Sequence, residues 1–100
     1  MPDKIKSFGE TVRNLRDNKG LLLRQVAALL EVDTAFLSKM ERNEKKASRQ
    51  QVQKLARALE TTEKELMILW LSDKILETLN EEVEAYNALK LTEKRIKRTK

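Results

Sequence analysis

Apolar residues recur at intervals of three and four along nearly the whole chain, and that spacing predicts helices throughout. Phe8, Val12 and Leu15 fall at i, i+4, i+7 and mark the buried stripe of a first helix. Ser7 with Glu10 three residues on makes a capping box at its start, and Gly20 supplies a left-handed cap after its end. A second helix covers about Leu23–Leu30, with Val26, Leu29 and Leu30 inward and small Ala27 and Ala28 suited to a close neighbour. Asp33 is the expected N-cap of a third, about Thr34–Arg42, which buries Leu37 and Met40; Asn43 then takes the left-handed cap. Glu44-Lys45-Lys46 is a polar loop. Ser48 caps a fourth helix that turns Val52, Leu55, Ala56 and Leu59 inward. Thr61 or Thr62 opens a fifth, where Thr62-Glu63-Lys64-Glu65 makes another capping box and Leu66, Leu69 and Trp70 bury. Ser72 or Asp73 starts a sixth, running to about Leu91.

The expected fold is all-α: five short helices in a bundle plus a longer C-terminal helix. Short helices are marginal alone, so mutual burial of their stripes must hold the bundle together. Only Glu31-Val32-Asp33 separates the second helix from the third, and a break that short forces a helix-turn-helix arrangement. The chain divides into a helix-turn-helix domain over 1–71, a C-terminal helix over 72–92 and a basic tail over 93–100, expected to be disordered.

Composition narrows the chemistry. A chain of 100 residues has room for one core, and one Pro with two Gly are too few breakers for an all-β fold. Cys is absent, which excludes disulfides, thiolate metal sites and cysteine nucleophiles; His is absent too, which removes the commonest metal ligand and general base. Glu81, Glu82 and Glu84 cluster, but on an exposed helix they form a solvated face, and no Gly-rich phosphate loop is present. No enzyme activity, metal or cofactor is expected. The longest apolar run, Leu66–Leu71, is far short of a membrane span, and Met1-Pro2-Asp3-Lys4 lacks the apolar region of a signal peptide, so a cytoplasmic location is expected.

The net charge is +5, and a small basic domain suggests a polyanionic partner. The distribution is uneven: a basic first half precedes an acidic stretch over 73–90, and the last ten residues carry five positive charges and one negative.

The stretch Leu21 to Ser48, with Val26-Ala27, Val32 plugging the turn and Leu37-Ser38-Lys39-Met40-Glu41-Arg42, resembles the phage repressor/Cro-type (XRE-like) helix-turn-helix family. The later Leu55-Ala56-Arg57-Ala58-Leu59 also fits, and the resemblance covers roughly residues 7–70. The Leu-Arg near the second helix start and the Leu-Ser-Lys of the third resemble bacterial regulators found beside restriction–modification genes. Three positions depart from the family. Glu31 stands where Gly is common, at a cost of roughly 1 kcal/mol if the backbone is left-handed. Leu23 replaces a Gln that commonly contacts DNA, leaving Arg24 as its substitute, and Asn43 replaces a Gly.

The resemblance implies a DNA-binding transcriptional regulator, a repressor in type, that holds double-stranded DNA as a homodimer on a pseudo-palindromic operator. Thr34, Ala35, Phe36, Ser38 and Lys39 lie off the buried stripe of the third helix and are the expected base contacts. Phe36 has two options, a thymine methyl or the core beside the second helix. Arg24, Arg42, Lys45 and Lys46 are the expected phosphate contacts, against the alternative of an ordinary solvated charge run. Arg16 and Glu41 stand where similar proteins join the first helix to the recognition helix by an ion pair. Ile75, Leu79, Tyr86, Leu89 and Ile96 approach a heptad seam, and Trp70, Leu71, Ile75, Leu79, Val83, Tyr86 and Leu89 form the expected dimer interface, unless the helix folds back on its own bundle. Two other functions fit the same residues: an antitoxin-like regulator that also binds a protein, and a protein-interaction module with a degenerate motif.

Overall fold

Side-chain caps set four of the helix starts in the computed structural model, which describes residues 6–99. Ser7 and Ser48 each accept from the backbone N–H three residues on, and Glu10 and Gln51 return the bond, closing two capping boxes. Asp33 accepts from the N–H of Phe36 at 2.6 Å, and Thr62 from that of Glu65 at 3.1 Å. The box expected at Thr62 is half formed, because the Glu65 carboxylate accepts from the Thr61 hydroxyl instead. The resulting elements are α1 (Phe8–Asn18), α2 (Leu23–Leu30), α3 (Thr34–Glu41), α4 (Arg49–Ala58), α5 (Glu63–Leu79) and α6 (Ala85–Thr99). No strand occurs among the described residues. The N-terminal signal reading and Lys100 fall outside them.

α3 is wedged between α1 and α2, α4 packs on α2, and α5 closes the bundle against α4 and α1. Val12, Val26, Leu37, Met40, Val52, Leu55, Leu59 and Leu66 are fully buried where these helices meet. Each such side chain contributes about 1.5–3 kcal/mol, which is what makes 8-residue helices stable. Ala27 is buried on the inward side of α2, with Val26 and Leu30.

Several expectations are corrected. Leu29 and Ala28 face solvent, because α2 points only Val26, Ala27 and Leu30 into the core. No helix begins at Ser72 or Asp73: α5 runs through both. The Asp73 carboxylate caps a different helix, accepting from the N–H of Phe8 at 2.8 Å. The break comes later, after Asn80, with Glu81 left-handed at φ 61. It cuts the expected seam between Leu79 and Tyr86, and α6 turns back so that Leu89 and Thr92 approach Ile75 and Leu79. The stretch over 93–99 is helical rather than disordered. Lys and Arg are good helix formers and suit the negative end of the helix dipole.

Candidate nucleic-acid interface

The third helix exposes Thr34, Ala35 and Lys39 on the side away from its buried Leu37 and Met40. Phe36 is half-buried and packs against the core, so only part of its ring reaches the surface that Thr34 and Ala35 share. Ser38 is half-buried, and its hydroxyl accepts from Arg42 at 2.6 Å.

What fixes this helix is a buried fork. The Arg16 guanidinium donates to both carboxylate oxygens of Glu41, at 2.7 and 3.1 Å, and its third arm donates to the Leu21 carbonyl at 2.8 Å. Arg16 is 9% exposed and Glu41 6%. The hydrogen bonds to Glu41 outweigh desolvation and hold Arg16 above the usual guanidinium pKa. The planar two-bond geometry of the fork sets the rotation of α3 against α1.

The same C-terminal end of α3 is clamped a second time by Asn43, left-handed at φ 65. Its side-chain oxygen accepts from the Gly9 N–H at 3.1 Å and its amide donates to the Ser7 hydroxyl at 2.8 Å. Gly9 lets the two backbones meet: a Cβ there would stand 2.5 Å from the Met40 carbonyl oxygen. Sequence reasoning gave Asn43 a backbone role only and missed Gly9 and Asp73. A left-handed Asn is a signal for the first, but Asp73 acts 65 positions away and no local pattern finds it.

The four expected phosphate contacts differ in their surroundings. Arg24 and Lys45 are exposed and make no ion pair among the described residues. Arg42 is held by Glu44, at 2.8 Å, as well as by Ser38, and the Glu44 carboxyl lies below its usual range because Arg42 donates to it. Lys46 reaches across to Glu77 on α5.

Of the seven residues expected between copies, Trp70 is not at the surface. It is buried in the core, its indole N–H donating to the Ala47 carbonyl at 2.9 Å, with Lys74 stacked 3.6 Å from the ring centre. A large amphipathic ring beside a free carbonyl satisfies both its apolar body and its N–H by turning inward. Leu79 is half-buried, while Leu71, Ile75, Val83, Tyr86 and Leu89 are exposed.

The family model described as a helix-turn-helix domain matches residues 7–67. No curated protein matches the chain. Two solved structures of the clp gene regulator ClgR from Corynebacterium glutamicum are similar. One is 27% identical with a TM-score of 0.56, covering 66% of this chain and 86% of that one. The other is 24% identical with a TM-score of 0.59, covering 91% and 97%, and speaks to the fold alone.

Proposed function

The chain belongs to the helix-turn-helix domain family, and from that premise we propose that it is a sequence-specific transcriptional regulator that binds a pseudo-palindromic operator as a homodimer. The observation that carries this reading is the exposed face of α3, with Thr34 and Ala35 in its first turn and Lys39 in its last, held in orientation by the buried Arg16–Glu41 fork. A helix set into the major groove by its N-terminal residues needs both features: free side chains to read base edges and a rigid mount. Lys39 reads guanine, Thr34 a base or a phosphate, and Ala35 with the open edge of Phe36 a thymine methyl. Arg24 and Lys45, with no ion pair among the described residues to give up, hold phosphates first; Arg42 and Lys46 join them by exchanging Glu44 and Glu77 for DNA. The likeness to a clp gene regulator supports the same class of function. The exposed α5–α6 face supplies the dimer contact through Leu71, Ile75, Leu79, Val83, Tyr86 and Leu89, matching the two-fold symmetry of a palindrome.

Reading and holding separate in one experiment. Duplexes selected by the protein from a random pool supply the operator, and a scrambled duplex the reference. Lys39→Ala is expected to cost about 1–3 kcal/mol on the operator and far less on scrambled DNA. Lys45→Ala is expected to weaken both equally and to reduce the log–log salt slope by about 0.9. Failure to select any sequence, together with no binding at low salt, would mean the motif is degenerate and the fold serves protein contacts instead.

A further inference from the structure

α6 spans 15 residues and buries none of them. It is amphipathic all the same, with Tyr86, Leu89 and Ile96 on one side, and together with Ile75 of α5 these line an open groove. A helix of this length is marginal in water without cover on its apolar face. On α5 the exposed Ile68, Leu71 and Ile75 recur at i, i+3, i+7, opposite the buried Leu66 and Trp70, and continue the same uncovered surface.

The charges say what covers it. Glu81, Glu82 and Glu84 crowd the turn at one end of α6, and Lys94, Arg95 and Arg98 crowd the other end, all of them exposed. Among the described residues the ion pair made by α6 is Lys97 with Glu93, inside the helix itself. Fifteen residues of helix are about 22 Å long, whereas charges in physiological salt are screened beyond about 8 Å. The two poles therefore cannot neutralise each other within one chain. Two copies related by a two-fold axis perpendicular to α6 place each acidic turn against the other copy's basic end, twice over, around a shared apolar strip.

Resting on the homodimer reading above, the geometry points to a second copy of this chain, laid antiparallel along α6, as the occupant of this face. Charge fixes the polarity: a parallel pair would set acid against acid and base against base, and a foreign helix would have to carry the same two poles.

The test uses full-length protein in sedimentation equilibrium. Arg95→Glu/Arg98→Glu and Glu81→Lys/Glu82→Lys are each expected to raise the dimer dissociation constant at least about tenfold. An equal mixture of the two variants is expected to recover most of the affinity as a heterodimer, and wild-type dimerisation to weaken with salt. Charge reversal also opposes the helix dipole, so circular dichroism monitors α6, and cysteine probes give a second readout without touching charge. The chain has no cysteine of its own. Mixed Val83→Cys and Thr99→Cys chains are expected to oxidise to the mixed disulfide in preference to either symmetric one. A wild-type dimer unaffected by either reversal, strengthened by salt, or joined through symmetric disulfides overturns the antiparallel pairing and leaves the homodimer standing. A monomer under all conditions overturns both.

Discussion

Glu31 and Asn43 both hold left-handed backbone, at φ 58 and 65, where the related family favours glycine, yet their side chains make the two positions unequal. Glu31 ends α2 and offers only an exposed ion pair with Lys54 at 3.1 Å. Such pairs are worth about 0–1 kcal/mol, comparable to the left-handed strain they accompany. Glu31→Gly is expected to leave stability level or raise it by up to about 1 kcal/mol. Asn43→Gly relieves the same strain but strips one part-buried and one exposed hydrogen bond from Gly9 and Ser7, each worth about 0.5–1.5 kcal/mol. Denaturant melts of the two variants are expected to move in opposite directions, and a stabilised Asn43→Gly would show that the clamp contributes nothing. Glu41→Ala tests the fork in the same assay. With Arg16 left buried and unpaired the expected loss is about 3–5 kcal/mol, against about 0–1 for an exposed pair.

At the scale of elements, capping decides more than propensity. The starts of α1, α3 and α4 were legible in Ser7, Asp33 and Ser48, because a cap acts over three residues and needs no distant partner. Asp73 carries the same signature and misleads, since its carboxylate serves α1 from the middle of α5. Asp73→Ala removes a cap from the N–H of Phe8 and is expected to cost about 0.5–2 kcal/mol, with no shortening of α5. Thermal melts give the first, and amide exchange across residues 70–76 the second; faster exchange there would return Asp73 to the role of a helix start. The split of the C-terminal segment into α5 and α6 was hidden for a related reason. Glu81 in a left-handed turn is a poor residue for the site, so no glycine or proline announces the break.

For the whole molecule, the bundle and the proposed association surface occupy different helices. Among the described residues, every buried side chain lies in α1 to α5 or the segments that join them, and α6 holds none. Cutting the chain after Leu71 would remove the Asp73 cap along with α6, so truncation after Asn80 is the cleaner cut. The truncated protein is expected to fold, to sediment as a monomer, and to bind operator more weakly while keeping its preference over scrambled DNA. Light scattering and binding titrations check this. A truncated chain that still dimerises would place the interface on α5, whose exposed Ile68, Leu71 and Ile75 survive the cut.

Local spacing determined α1 to α4, the start of α5 and most of the caps, since hydrophobic period and capping are properties of neighbours in the chain. The short Glu31–Asp33 break made the α2–α3 turn visible for the same reason, and the Leu37–Arg42 motif pointed to α3 as the proposed recognition helix. Phe36, Trp70 and Asp73 were decided only by tertiary structure. Phe36 and Trp70 are amphipathic or edge-lying rings that serve equally as surface or core, and Asp73 is a cap whose target lies on another helix. The same holds for Arg42 and Lys46, whose charge the sequence displays but whose carboxylate partners, Glu44 and Glu77, come into view only in three dimensions. Whether a charge is free depends on what folds against it, and periodicity along the chain carries no record of that.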